Sequence, residues 1–257
     1  MRPRPSSGGH ARRRRGTRPQ QFSLGYAFDS GVAKNAAKAV EWYTRAAAAG
    51  DSGAQYNLGC SYRDGEGVAK DAATAVKWYM ASASAGHKDA QYTLGICFRD
   101  GDGVAEDAAK AIEWWMRAAE AGDSDAQHAL GEALRYGDGI AADAAKAVEW
   151  FTRAADADSA SAQLALAAQL YNGAGVARDK VAAAKWFVCA LDTDADVLET
   201  DCWAREFARF RASTDAYAGA LRALAASTGR SSAGVTAFLA AAARGTCTCQ
   251  DCAAGMD

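Results

Sequence analysis

AQYNLGCSYRDGEGVAKDAATAVKWYMASASAG occupies residues 54–86 and contains two helical patterns separated by a glycine-rich break. Ala54, Leu58 and Tyr62 are spaced four apart, which places them on one face of a helix of about three turns. The RDGEG segment that follows holds two glycines able to adopt positive φ, so the first helix ends there. We call this first helix of the unit helix A.

A second helix, helix B, is predicted to start directly after the break. Asp71 stands where an N-cap carboxylate accepts hydrogen bonds from the first backbone amides of a helix. Ala75, Trp78 and Tyr79 then follow the 3.6-residue period, and Gly86 occupies a position typical of a left-handed residue that ends a helix. The segment is therefore predicted to be a helical hairpin.

The hairpin recurs along the chain with a fixed step of 36 residues. The columns that keep this step are Trp42, Trp78, Trp114, Trp150 and Trp186; Leu58, Leu94, Leu130 and Leu166; Gly65, Gly101, Gly137 and Gly173; Gly67, Gly103, Gly139 and Gly175; Asp71, Asp107, Asp143 and Asp179. A single hairpin cannot bury both apolar stripes, so neighbouring hairpins must stack. The pattern predicts an all-α, right-handed α/α superhelical solenoid related to tetratricopeptide arrays.

One glycine column falls inside helix A, at Gly59, Gly95 and Gly131. A glycine there costs about 1 kcal/mol relative to alanine, so we expect it to permit a close approach of the facing helix B. We expect the tryptophan of the 36-residue column to make that approach, and its replacement by alanine to cost roughly 3–5 kcal/mol.

The segments AQYNLG, DGEGVAKD and AVKWY resemble the Sel1-like repeat, a tetratricopeptide-like family. Five units carry the resemblance, at residues 21–50, 54–86, 90–122, 126–157 and 162–191. The resemblance implies a non-catalytic scaffold, since members act as adaptors in ubiquitin-ligase membrane complexes, as activators of synthases or kinases, and as bacterial signalling and host-interaction proteins. The first unit has a shortened loop and no capping unit before it, so we expect a truncated gene model or a fragment.

The segments outside the repeats have different compositions. Residues 1–20 contain seven Arg and no acidic residue and are predicted to be a disordered basic tail; a nuclear-import or nucleic-acid patch at Arg12 to Arg15, and a transit peptide, remain alternatives. Residues 192–244 are predicted to form capping helices, with an effector helix for a partner as the alternative. Residues 245–257 are predicted to be a flexible, cysteine-containing tail.

Charge and hydropathy limit the classes of partner. Without the basic tail, the chain has an excess of nine negative charges, which argues against nucleic acid as the main ligand. The most apolar stretch, residues 234–243, is too short to cross a bilayer, and no secretory signal is visible. We expect a protein or peptide partner and a reducing, cytoplasmic location, with nucleus, organelle and oligomeric state left open.

Groups that could support catalysis or metal binding do not form recognisable motifs. No Ser or Cys nucleophile stands at a motif spacing from His10, His87 or His128. The C-x-C-x-x-C at residues 247–252 lacks an evident fourth ligand for zinc, and the DGEG and DGDG loops lack the calcium-loop pattern. We therefore predict no enzyme activity, cofactor or metal. The alternative is the secreted, β-lactam-binding branch of the resembled family, whose paired repeat cysteines this chain lacks.

Positions on helix A that change from unit to unit are the candidates for partner binding. By analogy with tetratricopeptide arrays we expect them to line a concave groove, although the Tyr56 position could instead pack between hairpins. The predicted contact residues are Tyr56, Asn57, Cys60, Ser61, Tyr92, Thr93, Ile96, Cys97, His128 and Glu132. A separate column, Gln21, Gln55, Gln91, Gln127 and Gln163, is predicted to form a ladder of hydrogen bonds to loop carbonyls.

Overall fold

The computed structural model describes residues 22, 23, 25, 26 and 35–194. Among these residues the secondary structure is helical, without a strand. The helices are α1 (Ala36–Ala48), α2 (Ser52–Asp64), α3 (Ala72–Ser84), α4 (Lys88–Asp100), α5 (Ala108–Glu120), α6 (Ser124–Tyr136), α7 (Ala144–Asp156), α8 (Ala160–Asn172) and α9 (Lys180–Thr193). The all-α class is confirmed, with α2, α4, α6 and α8 as A helices. Several predicted segments lie outside the described residues. They are the basic tail, most of the first A helix, and the capping helices and cysteine-containing tail beyond residue 194.

Side chains cap the helices at regular positions. Asp71, Asp107 and Asp143 accept hydrogen bonds from the amides of Thr74, Lys110 and Lys146, so the N-cap prediction for the B helices is confirmed. The A helices begin two residues earlier than the sequence indicated. Their caps form a second column. The side chains of Asp51, Asp123 and Ser159 each accept a hydrogen bond from the backbone amide three residues later in the chain.

Glycines shape the loop between helix A and helix B. Gly65, Gly137 and Gly173 cap their A helices in the left-handed region. The second loop glycine also has positive φ, and a Cβ at Gly139 would meet the backbone of Ala108 at the start of the preceding B helix. Glycine is thus required there by conformation and by space.

The chain divides into two compact units, residues 1–90 and residues 91–257. In the first unit α1 packs on α2 and α2 on α3; in the second, α5, α6, α7 and α8 each pack on the next helix. Each unit has a core of small residues and aromatic rings, with Tyr43 and Tyr79 buried in the first and Trp115 and Phe151 in the second.

The aromatic residue that faces the glycine of helix A is the residue after the repeated tryptophan. A Cβ at Gly59 would meet the ring of Tyr79, and one at Gly131 would meet Phe151. The expectation that the tryptophan column makes this approach is therefore wrong. Trp78 and Trp150 are half-buried and cover the edges of neighbouring apolar clusters instead.

The glutamine column forms the predicted hydrogen bonds. Nε2 of Gln55, Gln127 and Gln163 donates to the carbonyls of Ala47, Ala119 and Ala155 at 3.3, 3.0 and 3.2 Å. Each acceptor lies in the last turn of the preceding B helix rather than in a loop. Each of these carbonyls also accepts a backbone hydrogen bond from the turn after the helix, from the amides of Gly50, Gly122 and Asp158. The glutamine amide is therefore a second donor, and it links one hairpin to the next.

Candidate functional site

Three positions spaced i, i+4 and i+7 form a continuous stripe on each A helix, which we call the A-helix stripe. Its members are Tyr56, Cys60 and Arg63 on α2; Tyr92, Ile96 and Arg99 on α4; His128, Glu132 and Arg135 on α6; and Leu164, Ala168 and Tyr171 on α8. The stripe is fully buried on α8 and at least partly exposed on the other three helices. Six of the ten residues predicted to contact a partner lie on it.

On α2 the stripe packs against the aromatic ring of α3. The rings of Tyr56 and Tyr79 lie 5.7 Å apart, and the hydroxyl of Tyr79 donates to Sγ of Cys60 at 3.5 Å. Tyr56 also stacks on His87, with ring centroids 5.1 Å apart. The Tyr56 position therefore packs against its own hairpin and against the turn that follows, while remaining half-buried.

The partner residues predicted next to the stripe differ in exposure. Asn57 and Ser61 are half-buried, and the Ser61 hydroxyl donates to the Asn57 carbonyl at 3.1 Å. Thr93 is half-buried as well, but Cys97 is only 5% exposed and offers no surface to a partner. Thr93 therefore remains a candidate contact residue, whereas the prediction that Cys97 contacts a partner is wrong because its side chain is buried.

On α4 the stripe meets Trp115 of α5. The indole Nε1 of Trp115 donates to the carbonyl of Tyr92 at 3.2 Å, and the Arg99 guanidinium lies 5.7 Å from the centroid of the same ring. Burial raises the pKa of the Tyr92 hydroxyl, and the carboxylates of Asp125 and Asp123 raise it further. The Arg99 guanidinium opposes this shift, so charges of both signs act on the Tyr92 hydroxyl.

On α6 the stripe is polar. The rings of His128 and Phe151 lie 5.7 Å apart, and burial lowers the pKa of His128. Burial also raises the pKa of Glu132, and the guanidinium of Arg135 at 3.7 Å opposes that shift without cancelling it. His128 Nε2 and Glu132 Oε1 are buried atoms without a hydrogen-bond partner in the described part of the chain.

The arginines of the stripe were absent from the sequence prediction. Arg63 and Arg99 each make a bidentate pair with the next residue, Asp64 or Asp100, at 2.6–3.0 Å. Arg135 is followed by Tyr136, which is 68% exposed, and its guanidinium lies 5.0 Å from that ring. The constant 36-residue spacing of these arginines was the signal that could have identified them.

Other kinds of site find little support in the residues described. No group of three His, Cys, Asp or Glu side chains within that part is arranged to hold a metal ion. Cys60 is a free thiol, while the C-x-C-x-x-C segment and Cys202 lie outside the described residues. No described helix combines the length and apolar character needed to cross a membrane.

A family model described as the Sel1 repeat matches residues 21–51, 52–87, 88–123, 124–159 and 160–192. Its unit boundaries coincide with the helix starts to within a residue or two. No curated protein matched the chain.

Two solved structures are similar in fold and in sequence. A protective antigen of uropathogenic Escherichia coli strains, described as displaying an SLR fold, shares 33% identity at a TM-score of 0.67 over 70% of this chain. The match covers 39% of the antigen's own chain. A Sel1 repeat protein from Oxalobacter formigenes shares 34% identity at a TM-score of 0.66, over 68% of this chain and 73% of the other. The predicted solenoid class of Sel1-like hairpins is confirmed.

Proposed function

Because the chain belongs to the Sel1 repeat family, whose members generally mediate protein–protein interactions, we propose that it is a non-catalytic adaptor for a peptide or protein segment. The segment contacts the A-helix stripe. Residues Tyr92, Thr93, Ile96, His128 and Glu132 supply contacts in the second unit; Tyr56, Asn57, Cys60 and Ser61 supply them in the first.

The observation that carries the proposal is the contrast between fixed and variable positions of helix A. Leu58, Leu94 and Leu130 are the same in each unit and at most 1% exposed. The stripe beside them changes from Tyr92 on α4 to His128 on α6 and stays within reach of solvent. Constant buried residues keep the same fold in each hairpin, while the variable and accessible stripe can contact different side chains along one ligand.

The proposal extends to the setting in which the adaptor works. The seven cysteines do not follow the 36-residue repeat, which favours a reducing compartment, and we propose a cytoplasmic location. There the chain joins a partner to a larger assembly of the ubiquitin-ligase or signalling type. The secreted, hydrolase-like alternative would use paired cysteines inside each hairpin, and the sequence does not contain such periodic pairs.

Affinity capture from the native cell, followed by mass spectrometry, tests the proposal. The wild-type chain is compared with Tyr92→Asp and Arg99→Glu, which change the stripe on α4, and with Met116→Asp on the exposed surface of α5. Met116 is 39% exposed, so the same charge is introduced away from the stripe. We expect one set of partners for the wild type and Met116→Asp, and its loss from both stripe variants.

Circular dichroism and thermal unfolding of each variant accompany the capture, since Tyr92 is half-buried and its replacement could unfold the chain. Arg99 has a side chain 46% exposed, so Arg99→Glu keeps the test valid if Tyr92→Asp is unstable. Partners that bind all folded variants equally would contradict the proposal that binding takes place at the A-helix stripe. The absence of any specific partner for the wild type would contradict the adaptor function itself.

A further inference from the structure

The polar stripe of α6 has no counterpart in the other hairpins. The position of Glu132 is occupied by Cys60 on α2, Ile96 on α4 and Ala168 on α8. A carboxylate in a half-buried stripe costs desolvation energy unless a cation or hydrogen bonds compensate it. Its placement here therefore needs an explanation beyond packing.

The compensation that Glu132 receives within the chain is incomplete. The contact with Arg135 is 3.7 Å long, and Oε1 is buried without a hydrogen bond from any described residue. The Glu132 side chain as a whole is nevertheless 29% exposed, so another molecule can reach it. One turn earlier, Nε2 of His128 is also buried without a hydrogen-bond partner in the described chain.

The compact unit that contains Glu132 carries a net negative charge in its described residues. Asp125 lies at the start of α6 and interacts electrostatically with both Tyr92 and His128. Residues 91–194 contain nine Lys and Arg against seventeen Asp and Glu, an excess of eight negative charges. Residues 35–90 contain six of each sign. The acidity of the described repeats is thus confined to the unit that holds Glu132.

We infer that the stripe of α6 binds a basic side chain, the ammonium of a lysine or the guanidinium of an arginine, carried by a peptide segment of a partner protein, with Glu132 as the anionic contact. This inference rests on the proposed function and specifies the chemistry of its ligand. The incoming cation forms an ion pair with the carboxylate, which Arg135 compensates only from 3.7 Å, and the exposed ring of Tyr136 offers a surface for the alkyl stem of the cation. The negative potential of the unit speeds the encounter.

The test uses a randomised peptide library displayed on beads, screened with the labelled full-length chain. The variants are Glu132→Gln, which removes the charge at nearly constant volume, and Glu149→Gln, which makes the same change at an exposed position of α7. We expect the wild type and Glu149→Gln to select peptides with Lys or Arg at one fixed position. Glu132→Gln should bind those peptides at least about tenfold more weakly, as for loss of one partner of a desolvated charge pair.

Glu132→Lys provides a second arm, in which the selected position should change from basic to acidic. Circular dichroism checks that each variant is folded, and Glu132→Gln should be at least as stable as the wild type because it removes a desolvated charge. Selection of apolar or acidic peptides by the wild type, or an unchanged preference in folded Glu132→Gln, overturns the inference and leaves the adaptor function standing. Failure of the wild type to select any peptide overturns both.

Discussion

Two neighbouring aromatic positions on each B helix have different environments. Phe151 is fully buried against Gly131, while Trp150 covers the edge of the same cluster and carries the Arg153 guanidinium 4.6 Å from its ring. The constant tryptophan is the more visible feature of the sequence. The residue after it changes between Tyr79, Trp115 and Phe151, yet it occupies the centre of the hairpin.

Adjacent alanine substitutions should separate the two positions. Phe151→Ala leaves a cavity in a closed core and is expected to lower the free energy of unfolding by about 3–5 kcal/mol. Trp150→Ala removes a ring that is partly solvated and should cost clearly less. Urea unfolding followed by circular dichroism gives both values, and equal losses at the two positions would contradict the assignment.

The pKa of His128 makes stability depend on pH in a defined direction. Burial lowers that pKa in the folded chain, so the unfolded state binds more protons below about pH 6.5. The free energy of unfolding should therefore fall as the pH is lowered from 7 toward 5. His128→Leu, which copies the residue at Leu164, should reduce this fall; an identical pH profile for the variant would contradict the burial of the imidazole.

At the level of helices, the glutamine bridges fix the position of one helix relative to the next. Gln127 is buried and reaches from the first turn of α6 to the carbonyl of Ala119 in α5. That carbonyl also accepts from the amide of Gly122, so replacing Gln127 removes one of its hydrogen bonds and leaves the other.

Gln127→Met should lower the free energy of unfolding by about 0.5–1.5 kcal/mol, the net contribution of one hydrogen bond, because the Ala119 carbonyl keeps its bond from the Gly122 amide. Gln169→Met is the matched control. Gln169 is 2% exposed, and its Nε2 has no hydrogen-bond partner among residues 35–194 or the few described before them. The same substitution there is expected to be neutral or stabilising, and an equal loss at both positions would count against the bridge.

Sequence periodicity was sufficient to predict the hairpins and the B-helix caps, because each of these recurs at a fixed position. It also identified the glutamine column as a source of hydrogen bonds, but it assigned the acceptors to loops, whereas they lie in the last turns of the preceding B helices. It assigned the wrong aromatic to Gly59, since Trp78 and Tyr79 are adjacent and a helical pattern cannot distinguish them to within one residue. The electrostatic character of the candidate site was not predicted. The burial of Glu132 and its distance from Arg135 depend on how α6 packs against its neighbours. The sequence pattern of a single helix does not determine that packing.

At the scale of the whole molecule, charge is distributed unevenly along the chain. Residues 35–90 are balanced, whereas residues 91–194 have the excess of eight negative charges. Like charges within a compact unit repel one another, and salt screens this repulsion over about 10 Å at 0.1 M ionic strength.

Raising NaCl from about 0.02 to 0.3 M should therefore slow amide hydrogen exchange in residues 91–194 more than in residues 35–90. Mass spectrometry of peptides from α2 and α6 provides the comparison within one sample. A uniform response of the two segments would show that charge repulsion does not set their local stability.

The second loop glycine has a consequence for how such a chain changes in length over evolution. Gly67, Gly139 and Gly175 lie against the backbone that opens the preceding B helix, at Ala36, Ala108 and Ala144. The contact is made by main chain and does not depend on matched side chains. Gain or loss of a whole 36-residue unit therefore provides every loop with an equivalent neighbour, whereas an insertion of any other length does not. Recombination can add or remove one hairpin, with its part of the proposed partner-binding surface, without a change in the core of the other hairpins.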